Sequence, residues 1–285
     1  MTEGPTPVAA VIGSPIAHSL SPAIHRAAFE VAGLDWSYVS FDVPAGRGAA
    51  AVEAMRTLGL RGLSVTMPHK DAVAAAVDRL DPAAAVLASV NTVSWDGAEL
   101  VGHSTDGAGF VDSLRVDGVV VDGMRVAVIG AGGAARSVID ALDRRGVSDI
   151  AVLNRTPGRA ARAAEVAGSA RVGERDDLAR ADLVVNATSV GMGIDPSRAG
   201  DGDLPCPPQE LAGHAVVADL VYQPLETAWL ATARVRGLRI VDGLGMLVHQ
   251  AALQQQIWTG MLPDTAVMRT AAEAELARRF ALSRR

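Results

Sequence analysis

The sequence predicts an α/β protein of two alternating units closed by a helical C-terminal segment. Three observations carry this. Short apolar runs alternate with amphipathic patterns through the first hundred residues. A second such series opens at Met124 with a strand, a glycine-rich turn and a helix. Beyond Gly243 the pattern is helical throughout. At 285 residues the chain has room for about two domains.

In the first series PVAAVIG (7–13), WSYVSFDV (36–43), GLSVT (62–66) and SVNTVSW (89–95) read as strands bounded by Gly and Pro. Between them SPAIHRAAFEVAGL, GRGAAAVEAMRTLGL and HKDAVAAAVDRL have the apolar spacing of amphipathic helices. Strands alternating with helices imply a mostly parallel sheet covered on both faces. In the second series MRVAVIGAGGAARSVIDALDRRG runs strand, turn, helix, and DIAVLNRT, ADLVVNATSVG, AVVADLVY and RIVDG supply further strands. PGRAARAAEVAG and PLETAWLATARVRG are helical patterns between some of them, and 193–210 reads as an irregular loop rich in Gly, Pro and Asp. GMLVHQAALQQQIWTG and PDTAVMRTAAEAELARRF form the terminal helices. The expected division is 1–108 with 243–285 in one domain and 109–242 in the other.

Composition narrows the function. With 49% hydrophobic and 20% charged residues the chain is not a disordered one. A net charge of −6 argues against a nucleic-acid partner, because phosphate binding wants a basic face. Apolar stretches are broken by Gly, Asp or Arg well before the ~18 residues a membrane span needs, and MTEGPTPVAAVIG lacks the basic and long apolar regions of a secretory signal. A soluble cytoplasmic protein is expected. Cys206 is the single cysteine, so there is no disulfide framework, and in its Pro-rich loop it reads as incidental rather than nucleophilic. The six histidines are scattered, and no metal site is expected. Arg278, Arg279, Arg284 and Arg285 read as a solvated helix end, where cations complement the dipole.

Gly130, Gly132 and Gly133 follow an apolar strand and open a helix, with Ala135 at the third fingerprint position. Glycines there let the backbone bend sharply and approach a pyrophosphate, while the helix N-terminus supplies unpaired N–H groups. The next strand, IAVL, ends in Asn154, Arg155 and Thr156, with Arg159 one turn further on. An acidic residue there would suit NAD; two guanidiniums and a hydroxyl suit a 2′-phosphate and favour NADP, unless both are ordinary surface charges.

Among 26 basic residues Lys70 is the single lysine. Arg cannot be deprotonated in a protein and Lys can, so a lysine kept in an arginine-rich chain points to a titratable amine, chance survival being the bland alternative. Lys70 lies just past a strand, in the first turn of a helix that Pro68 could start, where partial positive charge disfavours an ammonium. Asp106, in HSTDGAGF, is either the N-cap of the following helix or the partner of Lys70 in a proton-transfer pair.

These motifs, in this order, resemble the shikimate dehydrogenase family over essentially the whole chain. GSPIAHSLSPAIH (13–25) looks like that family's substrate loop, in which Ser19 and Ser21 would bind a carboxylate. SVTMPHK would carry Thr66 and the catalytic Lys70, ASVNTV Asn91, and STDGAGF Asp106. The resemblance implies a turn formed by Gly130, Ala131, Gly132, Gly133 and Ala134, and a phosphate clamp at Asn154–Thr156 and Arg159. NATSVGM, with Thr188 and Ser189, would line the nicotinamide side together with Gly243 and Met246, and Tyr222 and Gln250 would reach the substrate. Three positions depart from the family: Ser64 and Ser104 stand where Asn is usual, and Arg26 follows His25 where His-Asn is common. Ser64 would then make a shorter or water-mediated contact with a substrate hydroxyl.

The implied fold is a substrate domain completed by the C-terminal helices plus a Rossmann-type NADP domain, with the active site expected between the two. The implied reaction is NADP-dependent interconversion of 3-dehydroshikimate and shikimate. Quinate or aminoshikimate as substrate and a non-catalytic ligand sensor are the alternatives. The expected partner is a small molecule, with no nucleic acid or membrane, and the chain a monomer or homodimer.

Overall fold

The computed structural model describes residues 6–283, so Arg284 and Arg285 of the expected solvated helix end lie outside the described residues. The chain divides into two compact units, Met1–Thr105 with Val248–Arg285, and Asp106–Leu247.

The first unit runs β1 (Val8–Gly13), α1 (Ser21–Val31), β2 (Ser37–Asp42), α2 (Gly48–Leu58), β3 (Gly62–Val65), α3 (Lys70–Ala74), β4 (Arg79–Leu80), α4 (Pro82–Leu87), β5 (Thr92–Asp96) and β6 (Glu99–His103). Its six strands lie in the order β2-β1-β3-β5-β6-β4. β2, β1 and β3 are mutually parallel as expected, but β5 is antiparallel to both β3 and β6. The sequence DGAE turns that hairpin at Gly97 (φ +61°), a conformation few other residues adopt.

The continuous helix expected over HKDAVAAAVDRL is broken into one turn of helix and a short strand. Asp78 Oδ2 accepts from Leu100 N and from Arg56 Nη2, both at 2.7 Å, and holds the chain against β6. Asp81 then caps α4, its Oδ1 accepting from Ala84 N at 2.7 Å. These long-range bonds outweigh the helix propensity of the alanines. His103 joins the same corner, Nδ1 at 3.1 Å from Asp81 Oδ2 and Nε2 at 2.9 Å from Ser94 Oγ.

One face of this sheet is apolar, with Ala10, Ile12, Leu63, Val65 and Val93 packed under Val52 and Met55 of α2. The other face packs Ala9, Val11 and Tyr38 against Phe29 of α1 and against Trp258. Gly62 is explained here, since a Cβ would stand 2.4 Å from the Trp258 ring.

The second unit runs α5 (Asp106–Val116), β7 (Arg125–Ile129), α6 (Gly133–Asp143), β8 (Asp149–Leu153), α7 (Pro157–Ala164), β9 (Ala170–Val172), β10 (Leu183–Asn186), β11 (Val216–Asp219), α8 (Ala228–Val235) and β12 (Arg239–Val241). All six strands are parallel, in the order β12-β11-β10-β7-β8-β9. This is the doubly wound arrangement in which ligands bind beyond the strand C-termini where the order reverses, here between β7 and β10. Apolar clusters cover both faces, one built on Val126, Val128, Ile139 and Leu142, the other on Ala127, Val184, Trp229 and Leu230. α9 (Gly243–Thr259) crosses the division between Leu247 and Val248, and α10 (Thr265–Ser283) packs on α1.

Candidate active site

In the first unit the strand ends are tied by backbone bonds. Thr66 N donates to Ile12 O at 2.9 Å, Val65 N to Asn91 O at 2.8 Å, and Asn91 N to His103 O at 3.0 Å. Ser14 N donates to Met67 O at 3.0 Å, and Val90 N to Lys70 O at 3.1 Å. The loop bearing Thr66 and Lys70 is thereby fixed between β1 and the segment bearing Asn91.

Asn91 is the centre of a buried polar set. Its Oδ1 accepts from Thr105 N and Thr92 Oγ1, both at 2.9 Å. Its Nδ2 donates to Thr105 Oγ1 at 2.9 Å and Gln250 Oε1 at 3.4 Å. Thr105 Oγ1 donates in turn to Gln250 O at 3.1 Å. Gln254, one turn beyond Gln250, donates from Nε2 to Gln250 Oε1 at 2.9 Å and to Asn91 O at 3.2 Å. With its Oε1 used this way, Gln250 has its amide orientation set by its neighbours.

Ser64 differs from expectation. It is buried, accepts from Tyr38 Oη at 2.7 Å and donates to Gln254 Oε1 at 2.6 Å, so its single proton is committed inside the protein. Ser64 therefore supports Gln254, where sequence reasoning gave it a substrate hydroxyl. His25 stacks on Tyr38 at 4.3 Å, and burial lowers its imidazole to about 4, outweighing its bond to Gln254. Burial pushes the Tyr38 phenol up. Sequence reading missed Tyr38, Thr105 and Gln254; the i, i+4 spacing of Gln250 and Gln254 was the available signal.

Ser19 and Ser21 lie together at the start of α1, with Ser21 N donating to Ser19 Oγ at 3.3 Å. Lys70 is half-buried and opens α3. That helix has only five residues, so the dipole invoked to disfavour an ammonium is that of a single turn. Asp106 is the first helical residue of α5, not its N-cap, and lies in the second unit.

In the second unit, β7 leads into Gly130 with φ +122°, and a Cβ there would stand 2.7 Å from Ala187 O. Only glycine fits that turn. Gly132 and Gly133, at the start of α6, face open space: a Cβ at either meets nothing within 4 Å. Ala135 is fully buried against the core. Ala131 is half-buried and Ala134 exposed. The result is an open cradle at an eleven-residue helix N-terminus, which fits a pyrophosphate.

Beyond β8, Arg155, Thr156 and Arg159 are exposed, and Asn154 Nδ2 donates to Thr156 O at 3.0 Å. A pocket of about 350 Å³ opens at the ends of β7 and β8, lined in part by Ile129, Leu153, Asn154, Arg155 and Arg175. Arg175, absent from the sequence reading, is paired there with Glu210, Nε to Oε2 2.6 Å. Cys206 also lines this pocket; burial pushes its thiol up to about 12, which disfavours the thiolate.

At the end of β10, Asn186 Oδ1 accepts from Thr188 N at 3.1 Å and Thr188 Oγ1 at 2.7 Å. Asn186 Nδ2 donates to Asp219 Oδ1 at 2.8 Å, which also accepts from Val221 N at 3.0 Å. Thr227 Oγ1 donates to Asp219 Oδ2 at 2.8 Å. Burial raises Asp219 to about 6 against the pull of these bonds. The network fixes the backbone on either side of Ser189 and Tyr222, which are exposed and half-buried respectively. Gly243 is buried against β11's exit, where a Cβ would stand 2.5 Å from Leu220 O, and Met246 packs on the core. Packing accounts for both. Among the described residues no group of three or more His, Cys, Asp or Glu is placed to hold a metal, and no helix is long and apolar enough to cross a membrane.

A doubly wound unit with a glycine turn and an open helix N-terminus, joined to a second α/β unit with a buried polar centre, defines the class of nucleotide-dependent dehydrogenases. The chain matches the profiles of the shikimate dehydrogenase substrate binding domain over 11–93, the shikimate / quinate 5-dehydrogenase family over 116–195 and the shikimate 5'-dehydrogenase C-terminal domain over 243–273. It belongs to the shikimate dehydrogenase family. It is 44% identical to the shikimate dehydrogenase (NADP(+)) of Rubrobacter xylanophilus, covering 96% of this chain and 98% of that one. Among solved structures it resembles shikimate 5-dehydrogenase from Thermus thermophilus in complex with NADP(H) and shikimate. The TM-score is 0.86 with 39% identity, covering 94% of this chain and 99% of that one. Quinate dehydrogenase from Corynebacterium glutamicum in complex with NAD shares the fold at TM-score 0.84 and 31% identity, covering 94% and 99%.

Proposed function

We propose that this chain is an NADP-dependent dehydrogenase interconverting 3-dehydroshikimate and shikimate, a step of aromatic amino-acid biosynthesis. The observation that carries the reading is the fixed loop holding the only lysine, bonded to the segment whose Asn91 anchors Thr105 and Gln250. A site that only bound a polyol acid would need the amides and hydroxyls but no proton donor.

When bound, the cofactor supplies or accepts the hydride. Lys70 gives its proton to the ketone oxygen during reduction and takes it from the hydroxyl during oxidation. Asp106 orients the amine and hydrogen-bonds the substrate. Ser19 and Ser21 take the carboxylate, while Thr66, Asn91, Gln250 and Tyr222 fix the ring; Ser64 acts behind Gln254. Gly130 to Ala134 cradle the pyrophosphate, with Asn154, Arg155, Thr156 and Arg159 on the ribose phosphate and Thr188, Ser189, Gly243 and Met246 toward the nicotinamide. The reading carries with it a cytoplasmic monomer or homodimer.

Initial rates with shikimate or quinate, each paired with NADP+ or NAD+, test it. Turnover fastest with shikimate and NADP+ is expected. Preference for quinate, the second reading that the likeness to a quinate dehydrogenase supports, overturns the substrate. Tight NADP+ binding without turnover makes the protein an aminoshikimate dehydrogenase or a sensor.

A further inference from the structure

The C-terminal arginines sort into two kinds. Arg278 is exposed and bonds Glu275, Nε to Oε2 at 2.7 Å and Nη2 to Oε1 at 2.8 Å. Arg279 reaches across to the loop before α1. Its Nη1 donates to His18 O at 2.5 Å and its Nη2 to Ser19 O at 2.9 Å. Its Nε donates to Glu275 Oε1 at 2.7 Å, which fixes the plane of the guanidinium. The two arginines hold the Glu275 carboxyl down to about 2, so it stays ionised at any working pH.

The loop has few other ties. Ile16 and Leu20 are buried at either end, Ser19 N donates to Ile16 O at 2.9 Å, and Ala17 and His18 are exposed between them. A guanidinium fork on two successive carbonyls removes freedom from the peptides that set where the Ser19 side chain points. It also brings a permanent positive charge to the segment that receives an acid.

We propose that Arg279, braced by Glu275, is a positioning residue that holds the Ser19 loop in its carboxylate-binding form and so sets affinity for the acid substrate. This rests on the shikimate dehydrogenase reading. Arg279 acts through Ser19 and takes no part in hydride or proton transfer.

The test compares wild type, Arg279→Ala, Arg279→Lys and Arg278→Ala in shikimate oxidation by NADP+, with hydrogen–deuterium exchange of the peptide spanning 14–22. Arg279→Ala is expected to raise KM for shikimate roughly tenfold, the loss of charge-assisted bonds that order the loop. It should leave kcat and KM for NADP+ within about twofold, and exchange in the loop should quicken. Arg279→Lys keeps the charge but not the fork and should recover only part of the loss. Arg278→Ala, which touches Glu275 but not the loop, should match wild type. An unchanged shikimate KM overturns the proposal, and so does a parallel rise in both KM values, the mark of a merely structural role. Wild type without shikimate turnover refutes the functional reading instead. The clamp is then decided by exchange alone, quickened in Arg279→Ala if the loop is held as described and unchanged if it is not.

Discussion

Gly107 gives a sharp test of how the second unit places Asp106. It sits where α5 meets α6, and a Cβ added there would stand 2.0 Å from Ser137 O and 2.8 Å from Ala141 Cβ. Ordinary contact begins at 3.4 Å, so the helices must separate by about 1.4 Å, the difference between 3.4 and 2.0. Ser137 O is backbone and cannot swing away. Asp106, the preceding residue, moves with α5. Misplacing a reacting group by ~1 Å costs about a hundredfold in rate, and overpacking costs ~1–3 kcal/mol, or several degrees in Tm for a unit this size. Purified Gly107→Ala is therefore expected to show kcat reduced by about two orders of magnitude and a Tm lowered by several degrees. Gly213→Ala, which meets nothing within 4 Å, serves as control and should match wild type. A Gly107→Ala enzyme with wild-type kcat and Tm would refute the close approach and the role given to Asp106.

Other outcomes follow from the same geometry. Ser64→Ala takes the acceptor from the buried Tyr38 Oη and leaves Gln254 Oε1 with His25 Nε2 alone, at 3.3 Å, and chemical denaturation should show a loss of ~1–3 kcal/mol; the larger Ser64→Asn should also destabilise, by overpacking a site only 4% exposed. His25 titrates near 4 folded against 6.5 unfolded, so the unfolded state binds the proton first as pH falls. Stability should fall between pH 6.5 and about 4, by at most ~3 kcal/mol, and His25→Gln should flatten that part of the stability–pH curve. Arg155→Ala should raise KM for NADP+ by ~10- to 100-fold and leave that for NAD+ nearly unchanged, read from parallel steady-state assays.

Much of the fold was legible because period and punctuation agree. β1, β2, β3 and β5 are apolar runs closed by Gly or Pro, and β7 with its glycine turn and α6 announces the nucleotide unit. What escaped depends on distant partners. β4 has two residues and β9 three, too short for any period, and β4 exists because Asp78 is bonded to β6. The antiparallel hairpin had its DG turn in view, but the alternation of helices and strands around it suggested a parallel sheet. The glycine turn was readable because Gly130 is fixed by its local backbone, φ +122°, between an apolar strand and a helix start. The internal bonds of Ser64 and Arg279 were hidden for the opposite reason. Neither segment shows the partner, and each takes its part from a contact 190 or 260 residues away in sequence.

In the proposed reaction Lys70 moves the proton while the second unit holds NADP. The most direct measurement is kcat for shikimate oxidation by NADP+ in Lys70→Ala, with NADP+ affinity measured on the same sample by calorimetry. A loss of ~10²- to 10⁴-fold in kcat is expected, the range for removing a general acid–base group, with NADP+ affinity unchanged. Turnover within a few-fold of wild type would contradict it.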